Sequence, residues 1–190
     1  MLKTITIMRK SLTTLILPIL ISSTTFAQRR VEDNLFSLNV LAPGATYEFA
    51  VGNASTINAS LEFGVLYRNS DFFEDGFGIY PGGTLQYRFY NNFKRRESKG
   101  KNTFGNMANF FAPSVYLQSG NPLIGDLETV SDLNGGAGVM YGLQRTGKKG
   151  FQFNLMFGPF VFFDDFDTEA GLLLDVRLGF VLGAKKKFNN

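Results

Sequence analysis

Apolar side chains recur at every second position through most of this chain. From 171 to 184, Leu172, Leu174, Val176, Leu178, Phe180, Leu182 and Ala184 alternate with Gly171, Leu173, Asp175, Arg177, Gly179, Val181 and Gly183. A period of two is the signature of a strand with one greasy face, and a helix cannot produce it. In residues 55–68, Ile57, Ala59, Leu61, Phe63, Val65 and Tyr67 oppose Thr56, Asn58, Ser60, Glu62, Gly64 and Arg68. Residues 79–90, 133–144 and 151–163 repeat the split less cleanly. In 107–118 it is weakest, because Phe110 and Tyr116 share a face with Ser114 and Gln118. Two shorter runs open the series. Phe36, Leu38 and Val40 are apolar at even positions, whereas Tyr47, Phe49 and Val51 are apolar at odd ones. The parity flips at Pro43-Gly44, which requires either a tight turn between two strands or a bulge within one bent strand. The turn predicts eight strands.

Length and bulk then indicate the solvent. The longer runs cover roughly 12 to 14 residues, against about 5–6 for a soluble strand and about 9–11 for a tilted strand that crosses a bilayer. The bulky Phe, Leu and Tyr side chains lie on the apolar face. The opposite face is rich in Gly, Ser, Thr and Asn, as suits the inside of a narrow barrel. No run contains Lys, although Lys and Glu would dominate the outer face of a soluble sandwich. In hydrocarbon every unpaired strand N–H or C=O costs several kcal/mol, so a spanning sheet must close on itself. The expected fold is therefore all-β: a closed antiparallel up-and-down transmembrane β-barrel of eight strands.

The start of the chain reads differently. Lys3, Arg9 and Lys10 precede an apolar stretch from Ser11 to Ile21, followed by small residues with Thr25 and Ala27 placed for a cut before Gln28. This is the secretory signal pattern. The apolar run falls short of the ~20 residues of a spanning helix, and Pro18 interrupts it. The expected division is a signal peptide over 1–27 and an outer-membrane β-barrel domain over 28–190. Three of the 19 basic residues and none of the 16 acidic ones precede Gln28. The exported chain is then balanced in charge, and its apparent basicity gives no support to a nucleic-acid partner.

Composition narrows the chemistry. The chain has 21 Phe and 21 Gly but no Cys, His or Trp. That removes disulfides, thiolate metal sites, cysteine nucleophiles and the usual general base. No Ser-Lys or paired-carboxylate motif replaces them, so neither enzymatic activity nor a cofactor is expected.

Charge divides the connections into two sets. One holds Asp71, Glu74 and Asp75, then Asp126, Glu128 and Asp132, then Asp164, Asp165, Asp167 and Glu169. The other holds Lys94, Arg95, Arg96, Lys99 and Lys101, then Arg145, Lys148 and Lys149, then Lys185, Lys186 and Lys187. Short turns belong at the periplasmic end. Gly52-Asn53-Ala54 and Thr146 to Lys149 therefore place the basic rim there and the acidic loops outside. Periodicity gives no account of the long connection from Asn92 to Asn106, which is expected to be a docking element for a periplasmic protein at that rim.

The chain resembles the small outer-membrane β-barrel proteins of Gram-negative bacteria over most of residues 35–184. In that group the last strand carries a polar residue, a Gly two later and apolar residues beyond, and Arg177, Gly179, Leu182 and Ala184 are similar to this pattern. The family usually ends on an aromatic residue, whereas this chain continues to Asn190, with Phe188 near its end. The opening segment from Asn39 through Pro43-Gly44 to Tyr47-Glu48 also resembles the start of such barrels. The resemblance implies a monomer in the bacterial outer membrane. Its partners would be outer-membrane lipids, lipopolysaccharide and the barrel assembly machinery.

Two sets of residues are candidate sites. Glu48, Glu62, Arg88, Asp175 and Arg177 all fall on inward faces and are expected to form a lumen charge network. As a functional device it would conduct protons or ions. As a structural one it braces a narrow lumen, since a lone buried charge is costly, and this second reading is the expectation. Asp164, Asp165 and Asp167 form a candidate cation-binding loop, because hard cations prefer carboxylate oxygens, although the Gly-punctuated spacing of an EF-hand is absent. The expected role is structural or surface-interacting. The alternatives are a narrow porin-like channel for small solutes and a soluble exported lipid-binding barrel.

Overall fold

The computed structural model describes residues 30–69 and 75–182. The expected signal peptide, Asp71 and Glu74, and the tail with Lys185, Lys186, Lys187 and Phe188 lie outside the described residues. The strands in chain order are β1 (Asn34–Leu41), β2 (Gly44–Ala50), β3 (Ser55–Arg68), β4 (Gly76–Tyr90), β5 (Asn109–Ser119), β6 (Ile124–Gly125), β7 (Leu133–Thr146), β8 (Phe151–Phe163) and β9 (Thr168–Leu182). Between β4 and β5 lie a short helix, α1 (Phe93–Glu97), and a 3₁₀ turn (Phe104–Asn106).

Every pairing is antiparallel, and consecutive strands are neighbours, as tight connections dictate. The sheet runs β3-β2-β1-β9-β8-β7-β5-β4, and a full ladder between β3 and β4 joins its two ends. The result is a barrel-like ring of eight strands, with the two-residue β6 added to β4. The parity flip near Pro43 is resolved as a turn. Ala42 adopts a left-handed φ of 55°, and β1 folds back on β2 with Asn39 opposite Gly44. A bulge is also present, but between β1 and β9, where the register shifts between Asn39 and Leu41.

Alternation sorts side chains to the two faces of the ring. Leu38, Tyr47, Leu61, Leu85, Val115, Val139, Phe157 and Leu172, one from each ring strand, point outward and are exposed, Leu61 to 71% and Leu172 to 82%. Thr56, Asn58, Ser60, Gln86, Gln144 and Asn154 point inward and are buried. Aromatic rings are buried inside as well, which the polar reading of that face did not anticipate. Phe110 packs edge-on against Tyr90 at 5.4 Å, and Phe160 lies 5.9 Å from Tyr116. Glycines on the facing strand make the room. A Cβ on Gly138 would stand 2.3 Å from both the Phe160 ring and the Pro159 carbonyl oxygen, and one on Gly142 would stand 2.4 Å from the Phe110 ring. The weak alternation of 107–118 has this cause: β5 carries large residues on both faces because β7 places Gly142 opposite Phe110 and Gly136 opposite Tyr116.

The long connection between β4 and β5 turns into the ring. Phe93 and Phe104 are buried, Asn106 fully so. Gly105, at φ 58°, presents its carbonyl to the Gln144 Nε2 donor at 2.8 Å and the Thr146 hydroxyl at 3.1 Å. A left-handed φ of this kind favours glycine. The segment preceding β1 helps to seal the same end, with the Glu32 amide donating to Asn106 Oδ1 at 2.8 Å and Arg30 paired to Glu97 at 3.4 Å. The connection is therefore a plug whose apolar anchors, Phe93 and Phe104, face inward. Lys94, Arg95, Lys99 and Lys101 remain exposed around it.

Candidate functional site

The interior charges form two groups. In the first, Glu48 and Arg88 are 3% and 2% exposed, and Arg88 Nη1 lies 3.2 Å from Glu48 Oε2. The register explains the meeting. Glu48 on β2 faces Asn58 on β3, and Arg88 on β4 faces Thr56. Three further donors converge on Glu48 Oε1: the Thr56 hydroxyl at 2.8 Å, the Tyr90 hydroxyl at 2.6 Å and Asn106 Nδ2 at 2.7 Å. Arg88 also donates to Gln86 Oε1 through Nε at 2.9 Å and Nη2 at 2.7 Å, and to Gln144 Oε1 at 2.9 Å. Its guanidinium stacks over the Phe110 ring at 4.7 Å. Charges held this far from water persist only when paired and fully hydrogen-bonded, and this pair is both.

The second group sits nearer the acidic end. Arg177 contacts Asp175 at 2.8 Å and Glu62 at 2.7 Å, and donates to the Ser60 hydroxyl at 2.8 Å. The Glu62 contact is an ion pair whose angle falls short of a hydrogen bond. Ser60 in turn reaches Asn58 at 3.4 Å, and Asn58 reaches Glu48 at 3.5 Å. The five charged residues thus lie in one chain of contacts, with Asn58 and Ser60 as the links. Those links, with Thr56, Gln86 and Gln144, were legible only as inward parity. Asn106 carried no periodic signal, because the plug contributes it.

Toward the basic end the Arg88 group and the plug occupy the interior. Toward the acidic end a cavity of about 330 Å³ lies against Glu62, Tyr116, Met140, Phe160, Leu173 and Arg177. An adjoining one of about 260 Å³ reaches the mouth at Asp164, Asp167 and Glu169. The plug and the Arg88 group lie on the basic side of these cavities.

Asp164, Asp165 and Asp167 do not converge. Asp164 Oδ1 accepts the Phe166 and Asp167 amides, both at 2.8 Å, and Asp167 Oδ1 accepts the Thr168 amide at 2.6 Å. Asp165 Oδ2 points to the neighbouring loop, accepting the Ser131 hydroxyl at 2.9 Å and the Asp132 amide at 2.6 Å. Among the described residues no three metal-ligating side chains gather. These carboxylates shape turns and tie loops together.

The Ser131 hydroxyl and then the Asp132 amide hold the Asp165 carboxyl below its ordinary value. A carboxyl lowered in the folded state contributes its stabilisation above its unfolded value, about 3.9, and loses it as pH falls through the folded value. Amide-exchange protection at Asp132 is therefore expected to hold at neutral pH and to drop in acid below about pH 4. Asp165→Asn should abolish that dependence. Identical acid profiles for the two proteins would refute the tie.

Family models, curated proteins and solved structures give no match to this chain.

Proposed function

We propose that the chain is a non-catalytic integral outer-membrane β-barrel with a structural or surface-interaction role in the cell envelope. One observation carries this reading: all eight ring strands turn large apolar side chains outward, while the buried polar and charged ones point in. In water the reverse arrangement is stable, because it removes apolar area from solvent. With lipid outside, the observed polarity is the favourable one. Outward aromatics also line up across strands, with Phe89, Phe111, Tyr141 and Phe157 directly opposed in register on β4, β5, β7 and β8. Such rows suit the aromatic girdles of membrane barrels. Among the described residues no helix is long and apolar enough to cross a membrane, so in this reading the strands cross. The acidic loops face outward from the cell and the plugged basic end faces the periplasm.

The porin-like alternative is weakened by the plug, and the soluble lipid-binding barrel by the outward apolar faces. Fractionation of cells expressing the full chain tests the proposal. The protein is expected in the outer-membrane fraction, soluble only with detergent, and migrating differently on gels before and after boiling. A monodisperse species in plain buffer would overturn the reading.

A further inference from the structure

The ring is complete over only part of its height. β9 pairs with β1 from Leu178 to Leu182, and beyond that its residues 168–177 pair with β8 alone among the described residues. On the other side of the β1–β2 hairpin, β3 pairs with β2 as far as Glu62, the Phe63 amide donates to the Pro43 carbonyl, and among the described residues the backbone of 64–67 pairs with β4 alone. Just above the hairpin tip at Ala42, β3 from Gly64 to Tyr67 and β9 therefore face each other without a strand between them among the described residues. A comparable loss occurs where β4 runs past its last partner on β5 at Gly82, but there β6 and the Leu123, Asp126 and Leu127 amides cover the edge. Among the described residues one gap is covered and the other is not.

We infer that this gap is a lateral opening through which a single-chain amphipath passes from the bilayer, its aliphatic chain entering the interior cavity and its hydrogen-bond-donating, uncharged or cationic head staying at the slot. The inference rests on the membrane-barrel reading above.

Depth places the gap in hydrocarbon. The strand β1 at ~3.3 Å per residue and a tilt near 40° rises about 20 Å, short of the apolar band of about 25 Å. The apolar exterior continues past the hairpin tip on both flanks, where Phe63, Val65, Leu172 and Leu174 are exposed. Free strand edges at membrane depth are tolerated where they border a polar cavity, and Glu62, Asp175 and Gln118 provide one. The Gln118 amide lies over Gly64 so closely that a Cβ there would meet its nitrogen at 2.6 Å. The larger cavity is bordered by Leu174 and Val176 as well as Leu173 and Asp175, so it reaches both faces of β9 at the free edge. A smaller one of about 100 Å³ borders Ala42, Glu62 and Phe63 on the β3 side.

The lining sets the ligand. Tyr116, Met140, Phe160 and Leu173 offer an apolar wall within the size range of small-molecule sites. Two carboxylates, Glu62 and Asp175, face one guanidinium, Arg177, and that guanidinium is already satisfied by both. The excess negative charge favours a donor head and disfavours an anionic one.

The test uses the full chain in phosphatidylcholine vesicles with a diazirine-bearing long-chain amine, and separately the carboxylic acid of equal length, with labelled residues mapped by peptide mass spectrometry. The amine is expected to label Tyr116, Met140 and Phe160 inside as well as Leu85 and Val139 outside, and the acid to label only the outside. Leu173→Trp, or Leu173→Phe if the first variant does not fold, should remove the inside labels and keep the outside ones. Outside labels alone with the amine, or equal inside labelling by the acid, would overturn the inference while leaving the membrane reading intact. Absence of outside labels would overturn the membrane reading itself. A dimer mass in native spectra with no inside label would assign the free edges to a second copy and likewise overturn the inference.

Discussion

Arg88→Leu is expected to lower the free energy of unfolding by about 3–5 kcal/mol, the cost of leaving a buried charge without its partner. Glu48 would keep its neutral donors from Thr56, Tyr90 and Asn106 but lose the only cation within ion-pair distance among the described residues. The double variant Glu48→Gln with Arg88→Met should recover most of the loss, since it removes both charges together. Arg177→Leu should cost less. Its partners Glu62 and Asp175 have side chains 20% and 21% exposed beside the cavity, where water can solvate the two unpaired acids. Urea unfolding in detergent measures all three. An Arg88→Leu protein as stable as the parent would eliminate the first ion pair as a brace. An Arg177→Leu loss larger than that of Arg88→Leu would invert the proposed ranking of burial.

Val139→Arg should destabilise by about 2–4 kcal/mol, the depth-dependent cost of a cation on the lipid face of a membrane barrel near its midplane. Val139 sits halfway along β7 and is 50% exposed on the outward face. If water bathed that face, the same substitution would fall within about 0.5 kcal/mol of neutral, as surface changes do. The two solvents therefore predict different results at one residue. The comparison needs refolding into bilayers, where depth has meaning. A stability change indistinguishable from zero would remove lipid from the outward face.

The inward positions of Glu48, Glu62, Arg88, Asp175 and Arg177 could be read from parity, because in a strand parity and face are the same thing. Their grouping could not. Glu48 meets Arg88 and not Arg177 because β2, β3 and β4 are adjacent in one particular register, and a strand's own residues do not record its neighbour's offset. Likewise Phe110 and Tyr116 blurred the pattern of β5 until Gly138 and Gly142 were seen opposite Phe160 and Phe110. The three aspartates after β8 looked like one site because they are close in the chain. In space, each accepts from a different backbone or hydroxyl donor.

Alternating apolar and polar residues were sufficient to establish strands, their two faces and the placement of acidic and basic loops at opposite ends. All of these are properties of single segments, governed by a side-chain repeat of two. The choice between a turn and a bulge at Pro43-Gly44, and with it the strand number, was decided by the pairing of β1 with β2. Where the connection after β4 goes, which inward charges touch, and the unequal heights of β1 and β9 that leave a slot in the wall depend on how separate segments meet. Those features are fixed by register, closure and packing volume, and such quantities belong to pairs of strands and not to any one of them.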